Sequence, residues 1–207
     1  MSSWWILAIG FLAQGFFSAR ILVQWILSEK ARKVLTPTVF WVLSIMGSWL
    51  LCLYGWLRQD FAIVLGQFFS YYVYLYNLRL KGVFGKIPLI FRILLLVTPI
   101  AAILLGIGDA GAFIDEFFRN ENIQLWLLVF GSFGQILFTL RFIYQMWYSS
   151  RKGESVLPPT FWWISLIGSS CIILYGVIRH DPVLIIGQSF GFVAYIRNLM
   201  IGYRAGK

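Results

Sequence analysis

A duplication limits what this chain can fold into more than any other feature. Shifting the sequence against itself by 121 residues places Gln14 on Gln135, Arg20 on Arg141, Gln24 on Gln145 and Ser28 on Ser149, without a gap. The register holds through Pro37 on Pro158, Phe40-Trp41 on Phe161-Trp162, Ser44 on Ser165, Gly47-Ser48 on Gly168-Ser169 and Tyr54-Gly55 on Tyr175-Gly176. It continues through Arg58 and Asp60 on Arg179 and Asp181, Gly66-Gln67 on Gly187-Gln188, Tyr74 on Tyr195 and Asn77-Leu78 on Asn198-Leu199. Whatever one copy folds into, the other folds into as well.

Composition names the solvent. Of 207 residues, 60% are apolar and 12% charged, against about half and about a quarter in ordinary soluble domains. This excludes a water-soluble globule and puts the chain in the membrane class. Cys52 and Cys171 lie in apolar runs and read as small core residues. With a single histidine beside them, neither a disulfide framework, a metal site nor another cofactor is expected. The net charge of +9 is spread over short loops between apolar runs, which suits membrane topology and lipid head groups and not nucleic acid. Only Met1, Ser2 and Ser3 precede the first run, without the positive flank of a cleaved signal, so that run is expected to persist as a helix.

Crossing a bilayer takes about 20 apolar residues. Seven runs qualify: Trp4 to Leu27, Thr38 to Leu57, Phe61 to Leu80, Pro88 to Gly108, Ile123 to Tyr148, Thr160 to Ile178 and Pro182 to Ile201. They are continuous and do not alternate, so helices are expected and barrel strands are not. Lys30, Arg32 and Lys33, then Arg79, Lys81 and Lys86, then Arg151 and Lys152, then Arg204 and Lys207 follow the first, third, fifth and last runs. The other connections hold Arg58 with Asp60, the acidic set Asp109, Asp115, Glu116 and Glu121, and Arg179 with Asp181. The positive-inside rule then predicts an N-terminus outside and a C-terminus in the cytoplasm. The fourth run has no repeat partner and restores the orientation of the second copy. The expected fold is an all-α integral membrane protein of seven spans, a 3+1+3 pair of parallel repeats with a cavity between two three-helix bundles. Its parts are a first repeat over residues 1–82, a linker with the fourth helix over 83–121, and a second repeat over 122–207.

Polar side chains within apolar helices need partners or a watered path. Gln14, Gln24 and Ser28 share a stripe with Arg20 at its edge, and Gln135, Gln145 and Ser149 repeat it with Arg141. Gln67, Ser70, Tyr74 and Asn77 share a face, as do Gln188, Tyr195 and Asn198. Such amides either glue helices together or line a binding cavity. Arg20 and Arg141 either snorkel to the cytoplasmic interface or grip an anion in a planar fork. Arg197 stands where the first copy has Tyr76 and adds a cation to one bundle only. The candidate substrate-binding set is Arg20, Gln24, Gln67, Asn77, Arg141, Gln145, Gln188, Arg197 and Asn198. The pairs Arg58/Asp60 and Arg179/Asp181 are expected to cap helices at outer turns, with His180 solvated beside the second. No paired carboxylates, activated nucleophile or phosphate loop appears, so an enzyme working by itself is not expected.

The string Gln135, Arg141, Gln145, Pro158, Phe161-Trp162, Ser165, Gly168, Tyr175-Gly176, Arg179, Asp181, Gly187-Gln188, Tyr195 and Arg197-Asn198-Leu199 resembles the lipid-A-disaccharide synthase N-terminal domain family. That family stands within the wider PQ-loop and SWEET-like group, and the resemblance spans both repeats. Where SWEET-like transporters carry Pro-Gln, this chain has Val23-Gln24 and Tyr144-Gln145. The resemblance implies a SWEET-like fold, a bacterial inner membrane and work near lipid-linked sugars, but it carries over no synthase activity. The expected function is thus a transporter or flippase for a polyprenyl-phosphate-linked sugar used in lipid A or envelope glycan modification, working by alternating access. The alternatives are a SWEET-like free-sugar uniporter and a non-catalytic accessory subunit of a membrane glycosyltransferase. Expected partners are a lipid-linked sugar or glycolipid, membrane lipids and, as a further candidate, such a glycosyltransferase.

Overall fold

In the computed structural model, residues 4–57, 61–106, 111, 125–178 and 182–205 are described. They form seven long helices and no strand: α1 (Trp4–Ala31), α2 (Thr38–Leu57), α3 (Phe61–Leu80), α4 (Leu89–Gly106), α5 (Leu125–Lys152), α6 (Pro159–Ile178) and α7 (Pro182–Ala205). A single turn of 3-10 helix at Phe84–Lys86 leads into α4. Arg58, Asp60, Arg179, His180, Asp181 and the acidic set Asp109, Asp115, Glu116 and Glu121 lie outside the described residues. The helices match the seven apolar runs, but α1, α5 and α7 continue about one turn further. Those last turns hold Lys30, Arg151 with Lys152, and Arg204, cations that suit the partial negative charge of a helix C-terminus.

Two of the helices, α1 and α6, are long and apolar enough to cross a membrane, while Thr38–Tyr54 and Leu89–Ala101 are shorter apolar stretches. The expectation of seven spans is thus met in the number of helices, and among the described residues by two of them on length and composition.

The chain divides into two compact units, Met1–Arg20 with Thr38–Asn120, and Ile21–Pro37 with Glu121–Lys207. In the first, the early part of α1 lies close on α2: a Cβ at Gly10 would come within 2.9 Å of the Tyr54 ring. The second unit repeats the arrangement, with Gly131 and the Tyr175 ring 2.8 Å from such a Cβ. The unrepeated helix α4 joins the first unit, where the Tyr72 hydroxyl donates to the Leu96 carbonyl at 2.7 Å. That carbonyl lies within one turn of Pro99, whose missing amide interrupts the backbone ladder of α4.

Burial is inverted relative to a water-soluble protein. Gln24, Ser28, Ser44, Ser48, Asn77, Gln145, Ser149, Ser165, Ser169 and Asn198 are fully buried, whereas Leu89, Ile90, Phe91 and Leu94 of α4 are more than half exposed. Trp41, Trp162, Phe161, Tyr74 and Tyr195 complete the cores of the units.

One backbone position departs from its repeat partner. Gly153 ends α5 with φ at 69°, and Arg32, its equivalent 121 residues earlier, ends α1 with φ at 51°. At Arg32 the backbone still closes the helix, since the Lys33 amide donates to the Ser28 carbonyl at 3.3 Å. A side chain in this left-handed conformation costs about 1–2 kcal/mol. Arg32→Gly is therefore expected to stabilise the protein by about 1 kcal/mol, and Gly153→Ala to destabilise it similarly. Thermal unfolding in detergent checks both.

Candidate functional site

Each repeat places one arginine at the meeting point of its three helices. In the first unit, Arg20 on α1 donates from Nη1 to Ser44 Oγ of α2 at 2.9 Å and to the Tyr74 hydroxyl of α3 at 3.1 Å. In the second, Arg141 on α5 donates from Nη1 to Ser165 Oγ of α6 at 3.0 Å and to the Tyr195 hydroxyl of α7 at 3.2 Å. Each serine passes its own proton one turn back, to the Phe40 or the Phe161 carbonyl, at 2.6 Å.

Aromatic rings enclose the guanidinium groups. Arg20 Cζ lies 4.6 Å from the Phe17 ring centre and 5.4 Å from those of Phe40 and Tyr74. Arg141 Cζ lies 3.9 Å from Phe138, 4.9 Å from Phe142 and 5.4 Å from Phe161. Ring faces attract a cation, and more so where water is excluded. With 6% and 5% of their surface exposed, Arg20 and Arg141 do not reach out to an interface; their charge is held inside each unit.

The amides gather around the turn that follows the first helix of each repeat. Gln145 Nε2 donates to Ser149 Oγ at 2.8 Å and to the Val156 carbonyl at 2.9 Å, and Ser149 Oγ accepts from the Val156 amide at 3.1 Å. Gln24 repeats this with Ser28 and the Leu35 carbonyl at 2.9 Å and 3.2 Å. Within the second unit Gln24 also pairs reciprocally with Asn198. Its Nε2 donates to Asn198 Oδ1 at 2.7 Å, and Asn198 Nδ2 returns a bond to Gln24 Oε1 at 3.0 Å. Asn77 Nδ2 donates to the Val73 carbonyl and Asn198 Nδ2 to the Ala194 carbonyl, both at 2.9 Å. Gln67 accepts from Ser48 Oγ at 2.9 Å and Gln188 from Ser169 Oγ at 3.4 Å.

Arg197 sits apart from these clusters, partly exposed, in a two-pronged ion pair with Glu29 of α1. The repeat equivalents are Tyr76 and Ser150, so only the second unit has this bridge. The Arg197 guanidinium holds the Glu29 carboxyl below its usual pKa, with smaller help from the Trp25 indole N–H. A depressed carboxyl pKa stabilises the fold above the unfolded value of 4.5 and loses that contribution as pH falls through the folded value. Acidification below about pH 4.5 is therefore expected to lower the melting temperature of the wild type more than that of Glu29→Gln.

The structure thus brings Gln24 and Asn198 together, places Arg20 and Arg141 in separate equivalent clusters, and sets Arg197 on the surface of the second unit. The arginine partners Ser44, Ser165, Tyr74 and Tyr195, and the carboxylate Glu29, extend the set read from the sequence. Their signal was present: both serines lie 24 residues after their arginine and both tyrosines 54 after it.

The chain matches the family model described as Lipid A Biosynthesis N-terminal domain over residues 9–79 and again over 130–200. It is 29% identical over 211 residues to a lipid-A-disaccharide synthase of Chlamydia muridarum, covering 97% of this chain and 34% of that protein. Proteins of the same name from Chlamydia trachomatis and Chlamydia caviae are 28% and 26% identical, with 97% and 96% of this chain covered. The chain spans about a third of the length of these relatives, 34% and 33% in the latter two. No solved structure matches it. Relatives named for a synthase overturn the expectation of a transporter or flippase and the expectation against an enzyme. The free-sugar uniporter and the accessory subunit gain no support from them either. Both repeats are accounted for by one family model, and the chain belongs to the Lipid A Biosynthesis N-terminal domain family, carrying that domain in two copies.

Proposed function

We propose that this chain serves lipid A biosynthesis as the substrate-holding N-terminal domain of a lipid-A-disaccharide synthase, an enzyme that joins two sugars by glycosyl transfer. The observation that carries this reading is the likeness of nearly the whole chain to proteins of that name. The described residues fit the holding role. Guanidinium and amide groups orient a ligand through hydrogen bonds but do not shuttle protons. Each unit has a set of its own, Arg20 with Gln67 and Asn77 in the first and Arg141 with Gln24, Gln145, Gln188 and Asn198 in the second: a cation for the phosphate of a lipid-linked sugar and amides for its hydroxyls.

The same reading places seven helices across the bacterial inner membrane, in a SWEET-like 3+1+3 order. Apolar faces turned outward, with amides and arginines turned inward, support this, because hydrocarbon rewards the first and penalises unpartnered polar groups. Basic last turns on α1, α3, α5 and α7 support a cytoplasmic side for those ends and a periplasmic N-terminus.

The test is formation of the lipid A disaccharide in membranes with and without the chain. At least a tenfold fall is expected in its absence, and Arg20→Gln with Arg141→Gln at matched protein level should reproduce most of it. Unchanged disaccharide formation without the chain would overturn the proposal.

A further inference from the structure

The unrepeated helix α4 carries a charge that the repeats do not explain. Arg92 stands at the end of its first turn, between Phe91 and Ile93, both more than half exposed. Arg20 and Arg141 each donate to a serine and a tyrosine. Arg92 has no such partners. Its Nε is enclosed without an acceptor, and no described residue accepts a bond from the rest of its guanidinium. The side chain is half-buried, so its Nη fork is the part left to meet a ligand. A cation on an apolar helix ordinarily pairs or faces water, and one without a partner calls for an explanation.

The surroundings fix the sign of that ligand. From residue 61 to residue 108 the sequence holds no aspartate or glutamate, but it holds Arg79, Lys81, Lys86 and Arg92. These four sit at the end of α3, just after it, in the 3-10 turn and in α4, all within the first unit. The second repeat has Met200 and Gly202 where the first has Arg79 and Lys81, and it has no counterpart of α4. Cations concentrated beside a span attract anionic head groups, and the planar fork of arginine suits a phosphate.

The same face of α4 offers room for a hydrocarbon chain. Arg92 and Pro99 are seven residues apart, two turns on one face and about 10 Å along the axis. Pro99 borders a groove of about 200 Å³ with Ala101 of α4, Trp49, Leu53 and Trp56 of α2 and Phe68 of α3. Both indoles are 44% exposed, so their rings front open space. The groove has no charged lining, and two of its polar side chains are turned to protein: Thr98 donates to the Leu94 carbonyl and Gln67 accepts from Ser48. It is smaller than the roughly 300–1,000 Å³ of pockets for whole small molecules, which suits a length of acyl chain and not a sugar ring.

We infer that the first unit holds one anionic phospholipid of the surrounding bilayer, its phosphate on the Arg92 fork and one acyl chain running along α4 into this groove. The occupant is a phospholipid and not the sugar lipid proposed above, because α4 from Leu89 to Val97 offers no polar side chain besides Arg92 to orient hydroxyls. The inference is independent of the substrate-holding role. It gives the one helix that the duplication does not require a ligand of its own.

The test uses the purified full chain in neutral detergent, with phosphatidylglycerol carrying a diazirine midway along one acyl chain, or phosphatidylcholine carrying the same chain. After illumination, mass spectrometry locates the labelled peptides. Wild type should be labelled saturably on α2, α3 or α4, and unlabelled phosphatidylglycerol should displace the label. Phosphatidylglycerol should be preferred by about fivefold, the effect of one basic residue near an anionic surface. Arg92→Gln should remove the preference, Ala101→Trp should fill the groove and lower labelling by about threefold with either lipid, and Arg151→Gln in the second unit should change neither. Thermal unfolding checks each variant, and the comparison of the two lipids on the wild type depends on none of them. Equal labelling by the two lipids overturns recognition of the charge. Labelling that does not saturate, or that unlabelled lipid does not displace, marks ordinary surrounding lipid and overturns the site. A wild-type preference in Arg92→Gln overturns the role of that residue, and label concentrated outside α2, α3 and α4 overturns the groove. None of these results touches disaccharide formation, so each leaves the substrate-holding role standing.

Discussion

Tyr195→Phe is expected to lower stability by about 1.5–2 kcal/mol, and Tyr74→Phe by the same amount within error. The substitution deletes one oxygen and little else, because the ring of Tyr195, tilted on Trp162 at 5.9 Å, remains. What disappears is an acceptor for the buried Arg141 guanidinium at 3.2 Å. Hydrogen bonds to charged groups contribute about 1.5–3 kcal/mol, and a length above the usual 2.7–2.9 Å for ionic pairs points to the lower half of that range. Ser165→Ala should cost a similar amount. The double variant should exceed the sum, because the same guanidinium then loses two of its partners at once. Unfolding of the reconstituted protein by graded detergent measures all three. A change within about 0.5 kcal/mol for Tyr195→Phe, the range of an unremarkable surface substitution, would mean that the ring cage alone holds the charge.

The second large effect belongs to Gln24 and Asn198. Both side chains are fully buried and exchange two hydrogen bonds, so removing one takes from the other's amide oxygen the donor it faces. Asn198→Leu is expected to cost about 2–3 kcal/mol, the upper part of the penalty for a buried polar group left without its partner. Gln24→Leu should cost at least as much, because Ser28 and the Leu35 carbonyl also lose a donor. The double variant should be clearly milder than the sum, with a coupling of about 0.6–1.7 kcal/mol, as measured for hydrogen bonds between membrane helices. Strict additivity would show that the two amides do not cooperate.

The helices were legible because apolar runs of spanning length leave a chain few alternatives, and the repeat allowed each assignment in one copy to be checked in the other. The burial of the polar stripes was legible too, since Gln24, Gln145, Asn77 and Asn198 recur at helical spacing on otherwise apolar faces. The pairing was not. Periodicity says which face a residue occupies, and the repeat singles out Tyr74 by its counterpart Tyr195, but neither says that this hydroxyl meets Arg20. That contact depends on how far each helix is shifted along its neighbours. For the same reason Arg197 was read as a cation for substrate, while Glu29, at the end of a helix far earlier in the chain, proved to be its partner. Function was misread for a different reason. Arginines and amides inside apolar helices are compatible with a carrier, and it was the names of the relatives that told against one.

The Glu29 to Arg197 bridge has a consequence for the history of the chain. A domain used singly, in two identical copies, acquires every substitution in both copies at once, so a residue suited to only one of them is not available. Fusing two copies in one gene removes that coupling. Tyr76 and Arg197 now stand at equivalent positions with different chemistry, while the arginine clusters have stayed nearly superimposable in their distances. The bridge marks where the two halves ceased to be interchangeable: a chain assembled from two second repeats would have serine at the position of Glu29 and leave Arg197 without this partner.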